Sequence, residues 1–258
     1  MNRYLLLAVM IFLTLFLSTG CGQLLVAIGG AEAVLLQAEG NLENEKGFSY
    51  KGEGKGTISE PSGMSIEIEQ EGTYRFVWDP YGVHVEETIK AFGGPLKQEY
   101  YITDKEGYEW VEGEGWQITI DRDDIIHKYD PRVALRFLYE AGEHTEMEEK
   151  DGMYILQADL SGEQTKKLMK DFYDELLDEM VQNLEEEIIT TEDLKFSRIK
   201  YQVWVDSKTF IPEKYNLIHE IEGNVDGDVL EIQLDLTFTK DGKVEEITIP
   251  DEVKEEAR

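Results

Sequence analysis

The chain has 258 residues and a formal net charge of −30, with 55 Asp and Glu against 25 Lys and Arg. This excess of negative charge repels phosphates, so it excludes nucleic acid as a partner and disfavours peripheral adhesion to anionic lipid. The single cysteine excludes an internal disulfide, so the burial of apolar side chains must hold the core together.

The first twenty residues have the three-part layout of a secretory signal. A basic residue near the start is followed by an apolar run over residues 5–17, and small residues at 18–20 precede Cys21. This ending resembles a bacterial lipobox, although serine replaces the usual leucine three positions before the cysteine. We therefore expect cleavage before Cys21 and a lipid on its sulfur. The alternative is an uncleaved anchor helix from Tyr4 to about Ile28.

The sequence divides into three parts. Residues 1–20 are the predicted signal peptide, residues 21–30 a tether near the membrane, and residues 31–258 one domain long enough for a sizeable core. The domain begins with a short amphipathic helix over residues 31–45. Its apolar side consists of Val34, Leu35, Ala38 and Leu42.

Strands dominate the rest of the domain. Apolar and polar residues alternate in most segments, and the clearest strand runs from Leu230 to Phe238. Short turns separate these segments, which implies antiparallel pairing. Asp241-Gly242 is typical of a further turn and predicts a last strand over residues 244–249.

One predicted strand carries three glycines on a single face. Gly52, Gly54 and Gly56 share that face with Phe48, Tyr50 and Ile58. Glycines in a strand favour strong curvature or a bulge. The same face, without side chains, could also admit a ligand chain or a packed helix, and both interpretations can hold together.

Two helices interrupt the predicted sheet. Asp130-Pro131 is an N-cap followed by proline, and it predicts a helix that contains Phe137 and ends at Gly142. The run 161–164 fits a capping box for a longer helix to residue 188. Its apolar stripe includes Phe172, Leu176 and Met180.

No catalytic motif is present in the sequence. The four histidines, His84, His127, His144 and His219, lack metal-ligand spacing, so each is interpreted as a surface or sheet residue. Residues 224–228 faintly resemble a calcium loop but lack its glycine and glutamate, which favours a hairpin turn. The sequence therefore predicts a protein that is not an enzyme and has neither a cofactor nor a metal site.

Several sequence segments resemble the LolA-like lipoprotein superfamily, which includes LppX/LprG-type relatives and poorly characterised Firmicute lipoproteins. The most specific segment spans residues 203–212 and is interpreted as a strand, a tight turn and the start of the next strand. Residues 159–161 and 247–250 add weaker similarity. The resemblance implies an α+β fold, in which a strongly curved antiparallel half-barrel carries helices on its concave face. It also implies an apolar cavity between sheet and helices, and members that carry lipids or acyl chains.

We therefore expect a lipid-anchored protein on the outer face of the cell membrane that holds an acyl chain, a lipid or a similar amphiphile. The cavity is placed between the sheet and the helices at 131–141 and 162–188. An alternative is a regulatory lipoprotein that uses the same fold to contact another envelope protein. The predicted ligand contacts are Tyr50, Gly52, Gly54, Gly56, Phe137, Phe172, Leu176 and Met180.

Overall fold

A computed structural model describes residues 21–59, 63–91, 94–118, 130–168, 194–225 and 228–257. Among these, the first helix and the first six strands are α1 (Cys21–Asn44), β1 (Gly47–Ser59), β2 (Ser65–Trp78), β3 (Tyr81–Ala91), β4 (Gly94–Thr103), β5 (Gly107–Val111) and β6 (Gly115–Ile118). Then come α2 (Pro131–Ala141), a 3₁₀ turn (Gly142–His144), β7 (Glu146–Lys150), β8 (Met153–Ser161), α3 (Glu163–Leu168), β9 (Leu194–Asp206), β10 (Pro212–Val225), β11 (Asp228–Lys243) and α4 (Asp251–Glu256).

All eleven of these strands form one antiparallel sheet in the order β6-β5-β4-β3-β2-β1-β11-β10-β9-β8-β7. The sheet is open, because among the described residues β6 and β7 form its two edges and do not pair with each other. This confirms the predicted curved half-barrel with few helices. We call the face that carries the helices the core face and the opposite face the outer face.

The sheet's centre is formed by β1 and β11. Their ladder runs from Phe48 and Lys243 to Ser59 and Glu231, and β10 continues the same pairing on the far side of β11. Apolar side chains of both strands point to the core face because alternate residues of a strand share a face. The glycine-bearing strand therefore lies in the middle of the sheet.

Helix α1 has a break at Gly30, whose φ of 59° and ψ of −137° are not helical. Beyond it, Val34, Leu35, Ala38 and Leu42 are buried, as the spacing predicted. In the part of the chain that the structure describes, no helix combines the length and apolarity needed to cross a bilayer.

Helix α2 begins and ends where the sequence predicted. The Asp130 carboxylate accepts a hydrogen bond from the Arg132 backbone N–H at 2.8 Å, and Gly142 follows the last residue. Asp130 is buried, and its carboxylate also forms an ion pair with the Arg132 guanidinium. The apolar side of α2 packs on β8, β9 and β10 and against α1. Two helices thus close the core over that half of the sheet.

The predicted turn at Asp241-Gly242 is wrong. Strand β11 runs through both residues to Lys243, and Phe48 and Ser49 of β1 pair with Lys243 and Gly242. The register skips Asp241, which is the extra residue of a β-bulge. An Asp-Gly pair suits a bulge as well as a turn, so the pair alone did not distinguish them.

The segment after β11 also differs from the prediction. Residues 244–250 form no strand, and α4 follows them. Ile249 and Val253 are buried against Tyr108 on the outer face of β5, and Trp116 packs beside them. Strand β7, with the sequence Glu-Met-Glu-Glu-Lys, was not predicted because it is an edge strand with one apolar side chain.

Candidate functional site

Tyr50 lies at the centre of a cluster of aromatic rings on the core face. Its ring meets Tyr215 edge-on at 5.3 Å, and Tyr215 is stacked on Phe238 at 4.6 Å. The Tyr50 hydroxyl donates to the Pro212 carbonyl at 3.3 Å. Burial raises the pKa of Tyr50 far above its ordinary value, so the side chain stays neutral. These contacts make Tyr50 a packing residue, and its role in ligand binding stays a prediction.

Phe137 is the main anchor of α2. Its ring is stacked on Tyr201 of β9 with centroids 4.1 Å apart and planes 17° apart, and it is fully buried. Phe137 and Tyr50 therefore belong to the same core cluster. Their contact with a ligand is likewise a prediction that the structure does not test.

The three glycines of β1 lie under neighbouring side chains. A Cβ at Gly52 would lie 2.4 Å from the Tyr74 ring and 2.9 Å from the Phe238 ring. A Cβ at Gly54 would lie 2.3 Å from the end of Leu236, and one at Gly56 would lie 2.7 Å from a backbone oxygen. The glycine face is therefore covered at these points, and the glycines let large side chains approach the backbone.

Beyond the aromatic rings, the core face carries two rows of mainly aliphatic residues, which we call the apolar rows. Pairing places Ile58 of β1 opposite Ile66 and Ile232, and Ile232 opposite Ile221. The second row, two residues further along, consists of Ile68, Gly56, Leu234 and His219. Ile58, Ile66, Ile68 and Leu234 are only partly buried. The rows thus form an apolar strip across four strands that is less tightly covered than the aromatic rings.

A polar group adjoins the apolar rows. The Glu87 carboxylate is 4% exposed and accepts hydrogen bonds from Gln70 at 2.6 Å and from the Tyr74 hydroxyl at 2.9 Å. Gln70 follows Ile68 on the same face of β2. The core face therefore changes from aliphatic to polar over two residues. Sequence reasoning missed this group because it depends on the pairing of β2 with β3.

Four of the predicted site residues cannot be placed in full. Phe172, Leu176 and Met180 lie outside the described residues. Cys21 is the first residue of α1, and its side chain also lies outside them. The lipid attachment and the helical wall of the cavity accordingly remain predictions.

A concave region lies on the outer face of the sheet, and we call it the outer cleft. It has a volume of about 940 Å³ and spans β1 to β6 together with Thr239 of β11, and a smaller cleft of about 390 Å³ lies beside it. The larger cleft is lined mainly by polar and charged side chains that point to the outer face. The side chains that line it from the outer face include Lys51, Glu53, Glu71, Thr73, Glu86, Thr88, Lys97, Glu99, Trp110, Trp116 and Thr239.

A hydrogen-bonded network holds two of the carboxylates that line the outer cleft, Glu86 and Glu99. The Arg75 guanidinium donates to Glu86 at 2.6 Å and to Nδ1 of His84 at 2.9 Å. Since arginine only donates, Nδ1 is the acceptor, and Nε2–H of His84 donates to Glu99 at 3.0 Å. The hydrogen bond from His84 lowers the pKa of Glu99. Both carboxylates are thereby held in fixed orientations.

The same network bears on metal binding. One ligand atom each of His84, Glu86 and Glu99 lies within 4.8 Å of the others, a spacing that could hold a cation. However, Arg75 hydrogen-bonds to both His84 and Glu86 and already supplies the positive charge there. A metal ion would have to displace the guanidinium, so the geometry favours an ion-pair network.

A family model matches residues 30–258, and its description is "Family of unknown function (DUF6612)". The chain belongs to this family. The match begins at the Gly30 break in α1 and includes the whole sheet. None of the curated proteins matches the sequence.

Several solved structures are similar to this DUF6612 protein, and three of them follow. A LolA superfamily protein from Nitrosomonas europaea is 11% identical with a TM-score of 0.24, covering 86% of this chain and 96% of that one. The ywiB protein from Bacillus subtilis is 10% identical with a TM-score of 0.22, covering 74% and 92%. Lipovitellin, from a study of its lipid–protein interactions, is 5% identical with a TM-score of 0.33, covering 79% of this chain.

The DUF6612 chain spans only 26% of the lipovitellin chain. A LolA superfamily protein is among the similar structures, as the sequence resemblance predicted. All three TM-scores are low, so the strand order and register described above define the fold, and function must be argued from the chain's own residues.

Proposed function

We propose that this protein is a lipid-anchored binding protein, not an enzyme, that holds an acyl chain or a similar amphiphile on its core face. The anchor would be the lipid on Cys21, which places the domain on the outer face of the cell membrane. The ligand would lie along the apolar rows. This proposal rests chiefly on one observation, that an aliphatic strip continues beyond the aromatic rings and that four of its side chains, those of Ile58, Ile66, Ile68 and Leu234, are only partly buried.

The chemistry of the strip suits an amphiphile. An acyl chain on the aliphatic side chains would gain roughly 0.8 kcal/mol for each methylene removed from water. About ten buried methylenes would thus supply about 8 kcal/mol, the free energy of micromolar binding before the entropic costs of association. The Gln70–Glu87–Tyr74 group makes the end of the rows polar, which suits the polar head of an amphiphile.

A photocrosslinking experiment on the full chain tests this proposal. Cells that express the protein receive a photoactivatable fatty acid, and crosslinked peptides are mapped by mass spectrometry after irradiation. We expect crosslinks on β1, β2 and β11 at the apolar rows. Crosslinks confined to the peptide that carries Cys21 would report only the anchor and would contradict a bound ligand.

A matched pair of variants sharpens the result. Leu234→Asp places a carboxylate within the apolar rows, whereas Gln233→Asp places the same group on the exposed outer face of the same strand. We expect Leu234→Asp to lower crosslinking on the sheet at least tenfold at equal protein abundance, and Gln233→Asp to leave it unchanged. Equal crosslinking in both would refute the ligand position and favour the alternative, an envelope interaction module.

A further inference from the structure

Two tryptophans lie side by side at one end of the outer cleft. Trp110 of β5 pairs directly with Trp116 of β6, and both are half-buried. Trp116 packs against the small apolar cluster of Tyr108, Ile249 and Val253. Its ring centroid is 5.7 Å from that of Tyr101, and the Tyr101 ring is stacked on His84 at 4.0 Å. Trp116 is therefore fixed from behind, and the two indoles form an aromatic wall of the cleft.

Carboxylates lie directly beside this wall. Glu99 is the register partner of Trp110, and Glu86 is the partner of Glu99 on the next strand. The network of Arg75 and His84 holds both in place, so they need not reorganise when a ligand arrives. A carboxylate has about four acceptor positions, so each retains capacity for further hydrogen bonds.

The rest of the lining mixes donors with acceptors. Lys51, Lys97 and three threonines offer N–H and O–H groups, while Glu53 and Glu71 add acceptors. Acidic side chains outnumber the lysines in this lining, which disfavours an anionic ligand. Lys51, Lys97 and Arg75 carry positive charge at or beside the cleft, which disfavours a purely cationic ligand. A ligand that both donates and accepts hydrogen bonds, and has an apolar flat surface, fits all of these features.

We propose that the outer cleft binds a neutral oligosaccharide. A pyranose ring presents C–H groups on one face, which can cover an indole, and hydroxyls around its edge, which pair with carboxylates, amines and threonines. The volume of about 940 Å³ falls within the usual range of ligand sites, about 300–1,000 Å³. The adjoining cleft shares Glu53, Glu71 and Thr88 and extends the site across the sheet. Trp110 is the stacking residue, and Glu86 and Glu99 orient the hydroxyls.

The test uses the full chain in a detergent that carries no sugar. Binding of cellohexaose, chitohexaose and mannohexaose is measured by titration calorimetry and by tryptophan emission. We expect saturable binding of at least one hexaose. Trp110→Ala should weaken that binding at least tenfold, because it removes the stacking surface. Failure of all three hexaoses to bind the parent protein would overturn the proposal.

Matched variants separate stacking from loss of fold. Trp204→Ala removes the same side chain from the same sheet face on β9, away from the cleft, and should change affinity less than twofold. Trp110→Tyr keeps an aromatic ring and should retain binding within about threefold. Equal weakening by Trp110→Ala and Trp204→Ala would indicate a general loss of structure and refute the role of Trp110.

The alternative ligand to test is a cation, because carboxylates line the cleft. Spermidine serves as the probe, and Glu99→Gln keeps the size of the side chain while removing its charge. The oligosaccharide proposal predicts only a few-fold effect of Glu99→Gln on hexaose binding. Saturable spermidine binding that Glu99→Gln abolishes, without hexaose binding, would overturn it. The cleft and the apolar rows lie on opposite faces of the sheet, so this proposal and that of lipid binding fail independently.

Discussion

Replacing Gly52 by alanine should destabilise the protein, although alanine normally stabilises a strand relative to glycine. The added Cβ would lie 2.4 Å from the Tyr74 ring and 2.9–3.0 Å from the Phe238 ring. Neither ring can retreat easily. The Tyr74 hydroxyl donates to the buried Glu87, and Phe238 is enclosed between Tyr74 and Tyr215. The methyl group therefore has to be accommodated by displacing packed aromatic side chains or the backbone.

The expected size follows from two opposing effects. Overpacking a core by a methyl group costs about 1–3 kcal/mol. Removing a glycine from a strand returns about 0.5–1 kcal/mol, because the unfolded chain loses less conformational entropy on folding. We expect a net loss of about 1–2 kcal/mol in the free energy of unfolding. Gly54→Ala should cost less, since its Cβ would meet the flexible end of Leu236.

Gly242→Ala is the matched control, because a Cβ there meets no heavy atom within 4 Å. It lies in β11 opposite Ser49, so it carries the same change in chain entropy without the overpacking. Urea unfolding followed by circular dichroism and tryptophan emission gives the three free energies. A Gly52→Ala protein as stable as Gly242→Ala would refute the packing argument.

Two further predictions concern the anchor and the pH dependence of stability. Cys21→Ala should leave an unprocessed precursor of higher apparent mass that incorporates no palmitate label, and equal labelling of mutant and parent would refute lipidation at this residue. Burial lowers the pKa of His219 to about 4 from its ordinary 6.5. As the pH falls, the unfolded chain therefore binds a proton at this histidine before the folded protein does. The neutral His219 makes its full contribution to the free energy of unfolding above pH 6.5, and this contribution is lost as the pH falls to about 4. His219→Leu should flatten the fall in unfolding free energy over this range by at most about 3 kcal/mol, and parallel curves for mutant and parent would contradict it.

The fold was predictable where the local pattern and the tertiary structure agree. The alternation from Leu230 to Phe238 gave a strand, and Asp130-Pro131 with Gly142 gave the limits of α2. Asp241-Gly242 misled the prediction because its bulge is imposed by pairing with β1, which the local sequence does not reveal. Strand β7 was missed for a related reason, since its pairing with β8 and not its hydrophobic pattern makes it a strand.

The candidate sites were less predictable than the fold. Tyr50 and the glycines were recognised as one face, but the rings of Tyr74 and Phe238 that cover Gly52 come from other strands. The outer cleft left no local signal. Glu86, Glu99 and the two tryptophans come from strands β3 to β6 and meet through the register of the sheet. A tally of tryptophans in the sequence could have pointed to an aromatic site, but not to its place on the sheet.

The pairing of β1 with β11 has a consequence for how the chain reaches this structure. Strands β1 to β6 and strands β7 to β11 each form a ladder from neighbours in sequence, and among the described strands the two ladders are joined by the pairing of β1 with β11 alone. Until the last strand is synthesised, β1 and β10 are both long open edges with unpaired N–H and C=O groups, which favour aggregation. Joining strands so distant in sequence is also a slow folding step. A chain that stops before residue 228 would leave both edges exposed permanently, so the C-terminal strand decides whether two separate ladders become one sheet.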